Sequence, residues 1–381
     1  MKIGLLTFRR NAQHAGSTAH YIYKALSGHP RNSVVHLAAD QANQLAGVDV
    51  RSRVIRKAKH IISHALPRKR TYVKSKAERA YVRAAVAEAE AIGCDVMLGC
   101  FCAHESDLLQ ATGIPIAYVT DITAMQSDGV DIAAGALKME RERLMISISS
   151  RLLLPSNFVA DSAIRDCGAD PERTHVVEWG GADIPDSEVP FDGLQRATDP
   201  FELLFIGHQR HRKGLDRAIR AVETLNDEGI PVRLRIIGRD AEKFRGSDYV
   251  EDLGYLDLNS ASQRRCFEEA FARATCLIHP ARAEPYGHVL VEACARSLPV
   301  VCTSVGGMSQ IIRSEINGLV IPEPFAQASL DQAVRRLLMS PELVTGLGRG
   351  ALLESQNRLN WSSWLEQVQP ILESISVQGP S

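Results

Sequence analysis

The stretch "HPARAEPYGHVLVEACARSLPVVCTS", residues 279–304, carries two acids, Glu284 and Glu292, on either side of a Pro-Tyr-Gly step. Pro285 suits the first position of a helix, and "YGHVLVEACARS" continues as one, which predicts a helix over residues 286–297 with Glu292 about two turns beyond Glu284. The free N–H groups near Tyr286, Gly287 and His288 then point out of the helix start, an arrangement that binds anions, phosphate above all. Gly287 lets a ligand come close to the backbone. A carboxylate next to a phosphate repels it, so Glu284 and Glu292 suit hydroxyl groups instead. Each can accept two hydrogen bonds from a vicinal diol, and the pair would bracket a diphosphate, one diol on the nucleoside side and one on a sugar side. The plainer alternative is an N-terminal acid favoured by the helix dipole and an ordinary surface glutamate.

A second cluster supplies the counter-charge. In "FIGHQRHRKGLD", Gly207 closes an apolar strand, and Arg212, Lys213 and Gly214 precede the helical run "LDRAIRAVETLN". Adjacent cations at a strand-to-helix turn are placed to neutralise a diphosphate; a solvated basic turn is the competing account. In the first half, "RRNAQHAGSTAHYIYKAL" offers Gly16 and Ser17 before a helix, with His14 nearby, either a ligand-binding loop or a simple cap region. "IPIAYVTDITAMQ" ends a strand with Asp121, a carboxylate able to orient or deprotonate an acceptor hydroxyl, or else to close an Asx turn.

These residues need elements to hold them. Short apolar runs ("KIGLLTF", "SVVHLAA", "CDVMLGC", "IPIAYVT", "SRLLLPS", "THVVEWG") alternate with helical patterns, and the rhythm restarts at "FELLFIG" and continues through "VRLRIIG", "ATCLIHP", "LPVVCTS" and "NGLVIP". Alternation of this kind predicts an α/β chain of parallel strands with crossover helices. Two doubly wound, Rossmann-like domains follow: residues 1–190, a polar linker at 191–200, residues 201–360, and a C-terminal helix and tail at 361–381 that can return to the first domain. The two sheets would face a central cleft at the carboxyl ends of their strands, where open α/β sheets bind ligands.

At 381 residues with 45% hydrophobic and 23% charged, the chain has the size and composition of two globular domains. A net charge of −1 speaks against bulk attraction to nucleic acid. Eight cysteines scattered in apolar runs read as reduced, buried thiols; Cys100 and Cys102 have no second pair at zinc-like spacing, so no metal site is expected. No apolar run is long enough to span a bilayer and the start does not resemble a signal peptide, which predicts a cytoplasmic protein. Residues 51–83 are strongly basic with one acid, Glu78, and an apolar helical stripe. That pattern suits peripheral contact with an anionic membrane at its inner face, or else a core-packed helix with a basic solvated side.

The second half resembles the retaining GT-B glycosyltransferases of family 4, the glycosyl transferases group 1. The resemblance lies in "EPYGHVLVEACARSLPVVCTSVGGMSQIIRSEINGLVIP", with Glu, seven residues and Glu followed by a strand, a Gly-Gly turn and "NGLV". "GHQRHRKGLD" is similar to the family's phosphate loop and "CGADPERTHVVEWGGAD" to the usual end of its N-terminal domain. The resemblance implies that Glu292 binds the nucleotide ribose, Glu284 contacts the transferred sugar and Lys213 binds phosphate. Many members place arginine directly after the first glycine, where this chain has His208, which leaves Arg212 or His208 for the second phosphate contact. Asp121 falls where many members have a histidine facing the reacting sugar.

The implied activity is transfer of a sugar from a nucleotide-diphosphate sugar, UDP- or GDP-linked, to a hydroxyl of a glycan or lipid-linked glycan, with retention. No metal and no other cofactor is needed if Lys213 and Arg212 neutralise the diphosphate. A nicotinamide dehydrogenase would need a GxGxxG after a strand, which is missing. A nucleotide-sugar-binding scaffold without turnover is the remaining rival.

Overall fold

A computed structural model of the chain describes residues 1–7, 18–38, 76–123, 132–182, 201–238 and 247–376. These divide into two compact units. The first comprises Met1–Pro155, Val159–Val177 and Leu365–Ser381; the second comprises Ser156–Phe158 and Glu178–Trp364.

In the first unit six strands, β1 (Lys2–Thr7), β2 (Ser33–His36), β3 (Val96–Cys100), β4 (Ile116–Val119), β5 (Arg151–Leu154) and β6 (Thr174–Val176), form one sheet in the order β2-β1-β3-β4-β5-β6. Every pairing is parallel. β3 and β4 are buried at every residue, which is why they read as unbroken apolar runs. Crossover helices α1 (Thr18–Gly28), α2 (Lys76–Ala91), α3 (Ile132–Ile148) and α4 (Asn157–Cys167) accompany them. Along α2, Tyr81, Val82, Ala85 and Ala89 are buried, the one-sided spacing of a helix laid against a core. With Leu6, Met97, Tyr118 and Leu152 they fill a single cluster.

The second unit repeats the plan with β7 (Phe201–Ile206), β8 (Val232–Ile237), β9 (Val250–Gly254), β10 (Cys276–His279), β11 (Val300–Thr303) and β12 (Gly318–Ile321). Their order is β12-β11-β10-β7-β8-β9, again all parallel. Its helices are α5 (Leu215–Asp227), α6 (Ala261–Arg273), α7 (His288–Ala295), α8 (Gln327–Met339) and α9 (Pro341–Asn357). α5 buries Leu215, Ala218, Ala221, Val222 and Leu225 against the sheet. Because β8 and β9 lie on one side of β7 and β10 to β12 on the other, the winding reverses between β7 and β10. That reversal brings the loops after these two strands, one with the paired cations and one with Glu284, to the same point.

The last helix, α10 (Trp361–Glu373), is capped by Asn360, whose Oδ1 accepts the Ser363 N–H at 2.8 Å. Its second half counts with the first unit, where Val368 and Leu372 are fully buried and Gln369 exchanges amide hydrogen bonds with Asn32 at 2.8 and 3.2 Å.

Three sequence expectations change or stand aside. β9 was not foreseen, because its acids Glu251 and Asp252 break the apolar run; it is an edge strand, and Asp252 serves as a buried counter-ion. The helix expected over residues 286–297 is shorter, His288–Ala295. The interdomain linker at 191–200 and most of the basic segment, residues 51–75, lie outside the described residues; residues 76–83 belong to α2. Among the described residues no helix is long and apolar enough to cross a membrane. All eight cysteines are free thiols, seven of them buried.

Candidate functional site

The cation loop is held in shape by its own backbone. Backbone bonds from Lys213 N–H to Gln209 O and from Leu215 N–H to Arg210 O wind residues 209–215 into a turn ahead of α5, and Arg282 N–H ties that turn to the β10 loop through Arg212 O at 2.8 Å. Gly214 stands at φ +78°, and a Cβ there would lie 1.9 Å from Pro280 O, so only glycine lets the two loops touch. The Lys213 stem lies over Gly207, where a Cβ would come within 3.1 Å of Lys213 Cγ. Lys213 Nζ pairs with Glu284 Oε2, and Arg212 Nη1 stands 3.9 Å from the same oxygen while donating to Ala283 O at 2.6 Å. Glu284 is buried, with only its carboxylate face turned to these cations.

Two neighbours of the pair differ sharply. Arg210 is buried and spent on structure: it forks onto Asp252 at 2.7 and 2.9 Å and reaches Gly238 O at 3.3 Å, tying the loop to β8 and β9. His208 is exposed, its ring tilted against exposed Tyr255 with centroids 5.9 Å apart.

The helix start is also set by contacts that override local rules. Pro285 stays outside α7, its carbonyl accepting the Gly307 N–H and the Ser156 hydroxyl, each at 3.1 Å. Gly287, with φ +101°, is the residue before the first turn, so the left-handed backbone and not proline begins the helix. Gly306 has φ +62°, and a Cβ there would sit 1.8 Å from Glu284 O; the Gly-Gly turn is what lets β11 pass this close to Glu284. Tyr286 is buried edge-on to Trp179, its hydroxyl donating to Trp179 O and accepting from Trp179 N–H, both at 2.8 Å. Its side chain anchors residues 178–182, leaving its backbone for a ligand.

Glu292 lies one turn inside α7. Oε1 accepts the Ala182 N–H at 3.1 Å and Oε2 accepts from Arg296 Nη1 at 2.6 Å. His288 Nε2 is 3.4 Å from Oε1, close enough to act electrostatically but out of line for a hydrogen bond. Arg296 is itself held by Glu268 through two 2.9 Å bonds and lies over the Phe271 ring at 4.4 Å. Burial opposes ionisation of Glu292, but His288 and Arg296 outweigh it and hold its carboxyl at about 2. The carboxylate is therefore fixed and charged, with lone pairs left for a diol.

The structure thus brings Gly207, Arg212, Lys213 and Glu284 together in the second unit, and pairs His288 with Glu292 on the helix that follows Tyr286 and Gly287. Asp121 stands in the first unit, half-buried in the turn after β4, where Thr120 Oγ1 donates to Ile122 O and Thr123 bonds Ser162 at 2.7 Å. Gly16, with His14 and Ser17, lies outside the described residues. Sequence reasoning passed over Arg296, although its i,i+4 spacing from Glu292 was a readable signal. It also passed over Arg210 and over His279, which hides at the end of the apolar run "TCLIH".

Part of the chain is similar to a known family. Residues 187–352 match the model of the glycosyl transferases group 1. The matched residues include all of the clustered residues just described. Over 264 residues, 65% of its length, the chain is 28% identical to the D-inositol 3-phosphate glycosyltransferase 1 of Catenulispora acidiphila. Over 190 residues, 46% of its length, it is 36% identical to the lipopolysaccharide glucosyltransferase WaaG of Escherichia coli K12. These matches take in 62% and 49% of the relatives' own lengths, so the chain spans about half to three-fifths of the curated relatives it matches. In three dimensions it resembles a crystal structure of WaaG over 98% of this chain and 99% of that one, with a TM-score of 0.63 and 19% identity. It likewise resembles Anabaena Alr3699/HepE in complex with UDP-glucose over 98% and 100%, with a TM-score of 0.65 and 17% identity. The fold is GT-B, with two Rossmann-like domains, and the matched residues 187–352 fall in the second of them.

Proposed function

We propose that the protein is a retaining glycosyltransferase that takes a sugar from a nucleotide-diphosphate sugar, UDP- or GDP-linked, to a hydroxyl acceptor, a glycan or lipid-linked glycan. The observation that carries this reading is the meeting of Lys213 and Arg212 with Glu284 at the switch point, with the half-buried, ionised Glu292 two turns along the same segment. Lys213 and Arg212 neutralise the leaving diphosphate, assisted by the N–H groups at the start of α7. Electrostatic stabilisation of that developing charge is the main catalytic contribution. Glu292 takes the ribose diol and Glu284 a hydroxyl of the transferred sugar. Two fixed cations at the diphosphate make a metal ion unnecessary in this scheme. A nucleotide-sugar site in the second unit is supported by the UDP-glucose bound to the similar HepE fold, and a lipopolysaccharide-type acceptor by the name of WaaG. Asp121 orients the acceptor hydroxyl, and the basic segment 51–83 presents the protein to an anionic membrane surface.

Thermal unfolding with UDP, GDP, ADP and their sugar conjugates tests the donor half, with Glu292→Gln alongside. At a hundred times its dissociation constant a ligand stabilises by about 2.7 kcal/mol, enough to raise Tm by roughly a few degrees. One base should stabilise the wild type and lose its effect in Glu292→Gln. No shift with any nucleotide would leave the scaffold reading in its place.

A further inference from the structure

β10 ends on a histidine that the scheme above does not use. His279 is fully buried, its ring stacked on Phe205 with centroids 6.2 Å apart and planes 21° from parallel. Nε2 lies 3.4 Å from Glu284 Oε2, and Nδ1 is buried without a hydrogen-bond partner among the described residues. Of the two neutral tautomers, one would bury an N–H at Nδ1 with nothing to accept it and aim a lone pair at a carboxylate. The other places the N–H on Nε2, where Glu284 accepts it, and leaves only an unpartnered lone pair behind. Burial first, then the Lys213 and Arg212 charges, keep the ring from taking a second proton and hold its pKa well below the ordinary histidine value.

We infer that His279 is a positioning residue for sugar transfer: its Nε2–H fixes the Glu284 carboxylate from the buried side in the orientation that receives the hydroxyls of the donor sugar. The inference rests on the assignment of Glu284 to that sugar. The contrast with Glu292 explains why a neutral donor is used. Glu292 is pinned by the buried cation Arg296, which compensates its charge permanently. A cation behind Glu284 would do the same and repel Lys213. A neutral imidazole instead orients Glu284 and leaves its charge to be shared with Lys213 and substrate.

His279→Phe keeps the ring and its stacking but removes the donor; His279→Gln restores an N–H near the Nε2 position, whereas His279→Asn reaches only the Nδ1 position. The readouts are kcat and the affinities for UDP and UDP-glucose, with GDP and GDP-mannose measured beside them. His279→Phe should bind the nucleotide within about twofold of wild type, lose about 10- to 100-fold in kcat, and lose the added affinity of the sugar conjugate over the bare nucleotide. His279→Gln should recover most of both losses. If His279→Phe does not fold, the same contrast is read between the Gln variant, active, and the Asn variant, impaired. Wild-type kcat and wild-type sugar preference in His279→Phe overturn the inference, as does equal impairment of the Gln and Asn variants. A wild type that binds none of the four probes sinks the donor reading itself, a result distinct from either.

Discussion

Glu284 and Glu292 are the same residue type on one segment, yet their surroundings divide the work between them. Glu292 is locked by Arg296 and the Ala182 N–H, while Glu284 meets a neutral imidazole and two cations that reach it from a loop. Glu142, a buried acid in the first unit, shows what happens without a cation. Burial raises its carboxyl to about 7, only partly countered by the hydroxyl of Tyr118, which donates to it at 3.1 Å. Since the folded protein holds this proton more tightly than the unfolded chain, the contribution to stability is complete below about 4.5 and is lost as pH rises toward about 7. The loss can reach about 3 kcal/mol. Glu142→Gln cannot ionise, so its Tm relative to wild type should climb between pH 5 and pH 8 and level off above that. A difference that stays constant across the range would show that Glu142 is not protonated in the folded state.

At the scale of elements, two tight loop crossings place the cations and the first glutamate. Gly214 against Pro280 O and Gly306 against Glu284 O both need a left-handed backbone and the absence of a side chain. Gly214→Ala should cost at least about 2 kcal/mol from strain and contact with Pro280 O, and should weaken nucleotide binding because Lys213 is displaced with its turn. Gly346→Ala is the matched contrast. Gly346 is an exposed residue inside α9 whose added Cβ would meet nothing within 4 Å, so the substitution should stabilise by about 0.5–1 kcal/mol. Chemical denaturation of both variants reads the two signs. The buried parallel strands of both sheets were legible as apolar runs. β9 was not, because the acid that hides it, Asp252, is there to meet Arg210 from another strand's loop. The helix start was misplaced for a related reason: proline favours a first turn locally, but Pro285 is held outside α7 by Gly307 and Ser156, partners 22 and 129 residues away in sequence. Local rules find elements; they miss what a distant partner imposes.

For the molecule as a whole, the second unit concentrates fixed charge in a chain whose net charge is only −1. Around the candidate diphosphate position stand Lys213 and Arg212, while Arg210 and Arg296 are consumed by acids of their own, Asp252 for the first and Glu292 with Glu268 for the second. Residue type and spacing singled out Glu284, Glu292 and Lys213, and of these the fold brings Lys213 onto Glu284. The residues behind them, His279 and Arg296, were not legible, since a buried histidine or arginine in an apolar segment declares its partner only once the chain is folded. The most direct test of the account is calorimetric titration of the nucleoside diphosphate and the matching monophosphate into wild type and Lys213→Ala. The wild type should bind the diphosphate about 10-fold or more tighter, and that preference should vanish in Lys213→Ala while monophosphate binding is retained. An unchanged preference for the diphosphate in Lys213→Ala would contradict the site as described.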